Sequence, residues 1–443
     1  MRAEEIPPYI VDLGKKYGAT DVAAKLIESQ RVIIRFSNNE VTVSKVFYET
    51  TIDVFLMIEK HRAATALSTL SIKNIDRSIR NLVKVAKMMT PADIYAPLPK
   101  GPFAYDPKLL KAPKIPLDPE ILSGHVEKAI NGALEGGAKR AAGTLSAFKS
   151  GIVLATSGEV YASQENAGLE LSLRAFVSEV ATGHSLSIAG SPEDFNPEEA
   201  GRAAGEIAKA ADNPVPGEPG KYMVLLGPMV FADFINQVGI LSSAFLVDAG
   251  QSFLIEKIGE KIFSEKFTLI DDPTMAGSIG AKAFDDEGVP TRRKAIVEKG
   301  ILKTYLHNST TAKKFGVETT GNAGIIVPVP WNLIVEPGNK SFEELLSEID
   351  DGIYLTNDWY LRYQNYRTGD FSTLPRDGMF RVKRGEIVSS IRELRISDNM
   401  LRVLQNIVEL GRSRTWVRWW EVEIPSLVPH ALISELNFTK PLI

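Results

Sequence analysis

The chain has 443 residues, 44% hydrophobic and 24% charged, with a formal net charge of −4; this is an ordinary globular composition, long enough for two or three domains of roughly 100–200 residues. Mild acidity with interspersed charges gives no support to nucleic-acid binding, which leans on clustered Lys and Arg. There is no cysteine, which excludes disulfides, thiolate nucleophiles and cysteine-containing zinc sites and fits a reducing compartment.

Met1 to Tyr9 lack the basic and apolar regions of a secretion signal. Glu4 to Tyr17 reads as a helix. Arg31–Phe36 and Val41–Ser44 flank the turn cluster Ser37-Asn38-Asn39-Glu40 and read as a hairpin, with Thr51–Ile58 continuing the sheet. Asn74 to Met89 has helical periodicity, its apolar positions being Ile75, Ile79, Leu82, Val83 and Val85. Eight prolines fall between Pro91 and Pro119, so no regular element crosses that stretch. A helix follows from about Pro119 to Lys139, then strands around Ala141–Lys149, Ile152–Ala155 and Glu170–Glu179. Asn196 is placed to cap a helix running to Ala211, with Pro197 in its first turn. Asn213-Pro214-Val215-Pro216-Gly217-Glu218-Pro219-Gly220 is the clearest hinge.

Val224 to Val247 carries only one charge, Asp233, and is long enough to span a bilayer. Pro228, Asn236, Gln237 and Gly239 interrupt it, so a buried strand followed by a buried helix is the better reading, and no membrane span is expected. Two hairpins stand out, Ala295–Glu298 with Ile301–Leu306 around Lys299-Gly300, and Met379–Lys383 with Glu386–Ile391 around Arg384-Gly385. The expected class is α+β, as two mixed halves of antiparallel sheet plus helices joined by the Pro/Gly hinge. The expected division is an N-terminal α+β domain over 1–90, a Pro-rich crossing over 91–119, a middle segment over 120–213 packed with the first domain, and a C-terminal domain over 221–443.

Recognisable chemistry is sparse. The five histidines, His61, His125, His184, His307 and His430, show no pairing at i, i+4, and there is no HExxH or HExxxH. No G-x-S-x-G elbow exists; Gly183-His184-Ser185 and Gly250-Gln251-Ser252 lack the second glycine. Phosphate- and dinucleotide-binding loops are absent too, so no cofactor, no metal and no catalytic residue is assigned. Asp271-Asp272-Pro273 and Asp285-Asp286-Glu287-Gly288 read as turns before cation sites. The stretch Asn357 to Arg367, rich in Trp, Tyr and Arg, either grips an extended polymer or packs its rings on the core. Arg412, Arg414 and Arg418 beside Trp416, Trp419 and Trp420 read as a partly buried edge strand or subunit contact.

Two motifs carry a resemblance. The first is Phe284-Asp285-Asp286-Glu287-Gly288-Val289-Pro290-Thr291, with Val297–Leu306, Ala312–Gly316 and Thr320-Gly321-Asn322-Ala323 after it. The second is Asn365-x-x-Thr368-Gly369-Asp370-Phe371-Ser372, with Gly385-Glu386-Ile387 and Asn399-Met400-Leu401. Together they resemble the TldD/PmbA family, once described as modulators of DNA gyrase, and its PmbA-like (TldE-like) branch in particular. The likeness covers Lys221 to Ile443; the first half matches in general layout only.

The resemblance implies peptide hydrolysis in the cytoplasm. A TldD-type subunit carries an HExxxH helix and a cysteine that hold zinc, and a PmbA-like subunit lacks them and pairs with it. Here the zinc helix would fall near Phe234–Leu241, where there is neither His nor Glu. The implied role is a non-zinc subunit that holds unfolded peptide for a zinc-bearing partner, the alternative being a homodimeric peptide- or protein-binding module with no protease role. Asp286, Gly288, Asn322, Tyr363, Asn365, Thr368, Gly369, Asp370 and Ser372 are the candidate peptide-groove or turn positions.

Overall fold

The computed structural model describes residues 2–441. Its first half is built on β1 (Asp21–Ser37), β2 (Glu40–Ile58), β3 (His61–Leu67), β4 (Arg140–Thr156), β5 (Tyr161–Phe176) and β6 (Thr182–Ala189), with helices α1 (Ile6–Lys16), α2 (Ile72–Met88), α3 (Pro119–Glu135) and α4 (Pro197–Ala210). The strands form one antiparallel sheet in the order β3-β2-β1-β4-β5-β6, so the segments 1–90 and 120–213 each give three strands to the same sheet. Asn38 and Asn39, at φ 52° and 69°, make the two-residue β1–β2 turn, whose twist suits antiparallel strands.

The helices cover one sheet in two places. α1 and α2 enclose Ile10, Val22, Val54, Ile75 and Ile79, and α3 and α4 enclose Val32, Ile34, Val126, Leu171 and Ala204. α3 and α4 meet backbone to backbone, since a Cβ on Gly201 would sit 2.0 Å from the Ala129 carbonyl. Phe148, Leu186 and Ile188 belong instead to the core of the second half, so that half packs against the rest of the sheet.

The second half begins with β7 (Val215–Pro216), β8 (Gly220–Leu226), α5 (Pro228–Leu241), α6 (Ala244–Asp248) and β9 (Leu269–Asp271). It continues with β10 (Lys294–Glu298), β11 (Ile301–Leu302), α7 (Ser309–Phe315), β12 (Leu333–Val335), α8 (Phe342–Ser347), β13 (Asp351–Asn365) and β14 (Asp370–Lys383). It closes with β15 (Glu386–Arg392), β16 (Arg395–Asn399), α9 (Met400–Gln405), β17 (Ile407–Val417) and β18 (Ser426–Thr439). These strands form a 12-stranded sheet, mostly antiparallel, with β8 parallel to β13, β12 parallel to β18 and β7 parallel to β15. The α+β class holds, and the sheets and helices occupy the layers expected for it.

Both expected hairpins form, the first with its second strand cut to Ile301–Leu302 instead of running to Leu306, and Lys299-Gly300 and Arg384-Gly385 have positive φ at both turn residues. The apolar run resolves into β8 and the buried helix α5. Among the described residues no helix is long and apolar enough to cross a membrane. Three local readings are corrected. β2 and β4 are single long strands rather than pairs of short ones, because unbroken pairing with β1 carries them through Lys45–Thr50 and Ser150-Gly151. Val85 is exposed, lying off the face that α2 buries. Asn196 stands at the N-cap of α4 without a side-chain cap bond. The Pro-rich crossing has one short turn at Pro107–Leu109 and is tied down by the Tyr95 hydroxyl, which donates to Asp21 (2.8 Å), and the Tyr105 hydroxyl, which donates to the Gly288 carbonyl (2.8 Å).

Candidate functional site

α5 starts where β8 ends, with Pro228 in its first turn, where a missing N–H costs nothing. It is apolar on nearly every side, so it is enclosed by core, and it brings Asp233 inside with it. Neither carboxylate oxygen of Asp233 has a hydrogen-bond donor. Burial, and then the nearby charges of Asp358 on β13 and Glu421 in the β17–β18 loop, push its carboxyl well above the usual range. Asp358 is itself fully buried and is pushed up to about 8, chiefly by burial. One of its oxygens accepts from the Thr373 hydroxyl at 2.8 Å and the other is unpartnered. Glu421 accepts from the Tyr360 amide at 2.6 Å and lies 3.3 Å from the Arg362 guanidinium.

Tyr360 sits at φ 62° in a bulge, where the β13–β14 register slips between Trp359 and Arg362. Positive φ is costly for a bulky residue, and such a bulge re-aims its neighbours. Here it turns Tyr360 outward onto Trp420, at 5.4 Å between ring centres, while Trp359 meets Trp420 at 5.6 Å and Trp419 meets Trp420 at 5.5 Å. This aromatic ledge overhangs a cavity of about 740 Å³ whose opposite wall is Thr144, Ser146, Glu170 and Ser172 of the first-half sheet. Arg418 crosses it to Glu170 at 2.8 Å. Ile188 also borders a second cavity of about 550 Å³ that includes Gly277, Arg414 and Trp416. The two lie along the junction of the halves and together offer aromatic faces, hydroxyls and a charge pair, the usual equipment of a small-molecule or peptide site.

Beneath the ledge, Ser172, His184, Asn357 and Asp377 form a chain. The Ser172 Oγ is 2.8 Å from His184 Nε2, and the Asn357 Nδ2 is 3.0 Å from His184 Nδ1 and 3.2 Å from an Asp377 oxygen. The carboxylate fixes the Asn357 amide with its NH2 inward, so His184 Nδ1 accepts and the ring proton lies on Nε2, aimed at Ser172. A ring that donates to the serine has no lone pair with which to take the serine's proton, and burial lowers its pKa to about 4. The chain is therefore a tie between the halves, with no activated nucleophile in it.

The motif residues fall into two groups, and no hydrogen bond among the described residues joins them. Asp286 is buried and paired with Lys25 at 2.6 Å and Lys282 at 3.5 Å; Gly288 turns at φ 84° beneath Tyr105 and Val160; Asn322 donates to Asp271 at 2.7 Å. Asp286 and Gly288 lie where β1 and the Pro-rich crossing meet the second half, and Asn322 is held within the second half. The other group closes the β13–β14 hairpin. Asn365 caps the turn by accepting from the Arg367 amide at 2.9 Å, and Thr368 and the Asn399 amide both donate to Asp370, at 2.5 and 2.9 Å. Ser372 is bonded by Arg395. The Tyr363 ring packs between Phe253, Tyr366 and Phe371 and leaves a buried hydroxyl unpartnered.

Gly369, at φ 85° with the Phe253 ring 3.3 Å from where a Cβ would stand, has little room for a side chain. Gly369→Val is expected to lower stability by at least about 2 kcal/mol through strain and crowding, seen as a shift of the urea midpoint. Sequence reasoning singled out neither the Asp233, Asp358 and Glu421 cluster nor the His184 chain. The one available signal was a lone carboxylate in an apolar helix.

α5 does not suit zinc. It carries one carboxylate, no imidazole and no thiolate, and Asn236 is consumed in bonds to the Ile424 backbone and Ser426 (2.7–3.0 Å). Among the described residues no group of three or more His, Cys, Asp or Glu is arranged to hold a metal.

Residues 219–440 match the family model described as PmbA/TldA metallopeptidase C-terminal domain. The chain is similar to a metalloprotease of Methanocaldococcus jannaschii, with 36% identity over 203 residues covering 43% of each chain. It is also similar to metalloprotease PmbA of Escherichia coli O157:H7, with 30% identity over 220 residues covering 47% of each. The chain thus spans about half the length of the curated relatives it matches. In three dimensions the likeness is longer. A putative modulator of a DNA gyrase from Thermotoga maritima superposes with a TM-score of 0.84 at 25% identity, over 98% of this chain and 100% of that one. TldE from Thermococcus kodakarensis shares the fold with a TM-score of 0.84 at 21% identity, over 98% and 99%. On the family match, the related sequences and the shared fold, this chain belongs to the TldD/PmbA family of metallopeptidases.

Proposed function

We propose that this chain is a PmbA-like, TldE-like subunit that holds unfolded or extended peptide for cleavage by a zinc-bearing TldD-type partner and has no zinc site of its own. The observation that carries the reading is the composition of α5, where Asp233 and Asn236 stand on a helix free of His, Cys and Glu. The five histidines have separate local partners: His61 a backbone carbonyl, His184 Ser172 and Asn357, and the other three aromatic rings. The cavity under the aromatic ledge supplies the peptide site, because ring faces accept apolar side chains while hydroxyls on the facing strands bond an extended backbone. In this reading the protein works in the cytoplasm.

The test is cleavage of an unfolded protein substrate by the chain alone, with and without a strong chelator, and then with a TldD-type partner added. The expected result is no cleavage alone, no bound zinc by elemental analysis, and cleavage on adding the partner. Chelator-sensitive cleavage by the chain alone would refute the reading, and chelator-resistant cleavage would point to a different, non-metal site.

A further inference from the structure

A cavity of about 430 Å³ lies between the β5–β6 turn, β14 and the end of β15, and it shares no lining residue with the cavity under the aromatic ledge. Consecutive residues of a regular strand face opposite ways. β14 bulges opposite Thr356, where Asp377 and Gly378 take φ 53° and 125°, and Arg376 and Asp377 both border this cavity. Most of its charged lining is already paired. Asp377 is taken by Arg174, Thr182 and Asn357, and Arg392 lies 3.3 Å from Glu393. Arg174 spends Nε and Nη2 on Asp377 and leaves Nη1 without an acceptor among the described residues. Arg376 and Glu179 remain. Arg376 lies over the Trp359 ring at 4.4 Å, and among the described residues neither it nor Glu179 has an ion pair or a side-chain hydrogen bond. Both are exposed, so a ligand can reach them.

We propose that this cavity binds the zwitterion of an amino acid or short peptide, its carboxylate on Arg376 and the spare Nη1 of Arg174, its ammonium on Glu179. The planar fork of a guanidinium matches a carboxylate, and stacking on an aromatic ring holds that fork in place. The two unpaired charges decide the class of ligand. A simple anion would satisfy Arg376 and leave Glu179 as a like charge in the same cavity, and a simple cation would do the reverse. A ligand carrying both charges satisfies both residues. Interior segments of a long chain carry neither end charge, so the site takes short fragments with free ends in preference to an unfolded polypeptide. This inference does not rest on the peptide-holding role, because the two cavities are lined by different residues.

Isothermal titration calorimetry of the full chain with glycine, diglycine, triglycine and tetraglycine tests it, the series covering the span between the two charges. At least one member is expected to bind, and its N-acetylated and C-amidated forms to bind about tenfold or more weaker. Arg376→Gln is expected to weaken the free peptide by a similar factor and to make amidation indifferent. Glu179→Gln is expected to do the same for acetylation. Neither residue carries a hydrogen bond that folding needs, and circular dichroism checks that each variant stays folded. The proposal is overturned if no member of the series binds, if the blocked forms bind as tightly as the free one, or if either substitution leaves the affinity unchanged. An effect of Arg376→Gln without one of Glu179→Gln would mean a plain carboxylate site and would overturn it too. Cleavage of unfolded protein with a TldD-type partner is a separate assay, so each idea stands or falls on its own data.

Discussion

Asp358→Asn is expected to abolish much of the fall in stability that the wild-type protein shows between about pH 5 and pH 8. Asp358 is fully buried and its carboxyl is pushed up to about 8, against about 3.9 in an unfolded chain. Between those values the folded state holds a proton that the unfolded state has released. Stability is then complete below the unfolded pKa and declines as pH rises toward the folded one, at about 1.4 kcal/mol per pH unit for one group. Asp233 shifts in the same direction, and the two carboxyls oppose each other's ionisation, so their effects are not additive. Asparagine keeps an acceptor for the Thr373 hydroxyl, offers donors to a cluster with unpartnered oxygens, and has no proton to lose. Guanidinium midpoints measured from pH 5 to 8 should fall more steeply for the wild type than for Asp358→Asn. Parallel curves would mean that Asp358 is ionised in the folded protein and that the cluster holds its charge by other means.

That cluster shows where sequence reasoning stopped. Lys299-Gly300 and Arg384-Gly385 were legible because a two-residue hairpin turn needs positive φ at both positions, a demand local to four residues. Val224–Val247 was legible because its prolyl and polar interruptions break a membrane span but suit a strand and a buried helix. The family motifs were legible as text. Their placement was not, because Asp286 is fixed by Lys25 from the first strand while Asp370 is fixed by Asn399 beyond the next hairpin. No periodicity states that Asp233 will meet side chains from β13 and from the β17–β18 loop. The same holds for Ser172, His184 and Asn357, which come from two strands of one sheet and one of the other. The unbroken length of β2 was missed for the opposite reason. Its outer stretch is polar and apolar by turns on two exposed faces, and only the pairing with β1 shows it to be strand.

The polar tie between the two halves depends on Asp377, and Asp377→Ala is expected to cost roughly 3–5 kcal/mol. Its side chain is fully buried and accepts from Arg174 at 2.5 and 3.0 Å, the Thr182 hydroxyl at 2.7 Å and the Asn357 amide at 3.2 Å. Burial alone would raise this carboxyl, but Arg174, His184 and Thr182 outweigh it and hold it below the usual range. Alanine would strand three donors, two of them from the first-half sheet, and Arg174 would keep only its stacking on Phe176 and Trp359. Asp377 also has φ 53°, so Asp377→Asn is the intermediate case: asparagine tolerates that backbone and keeps one acceptor for Arg174 and Thr182, but loses the charge and turns the oxygen that faces the Asn357 amide into a donor. Urea midpoints should fall in the order wild type, Asp377→Asn, Asp377→Ala. A second readout separates this tie from simple packing. The Asp377 carboxylate orients the Asn357 amide, which in turn sets the His184 proton on Nε2. Ring nitrogen chemical shifts should report that tautomer in the wild type and a mixture in Asp377→Ala. A wild-type proton on Nδ1 would reverse the Asn357 orientation and reopen Ser172 as a nucleophile.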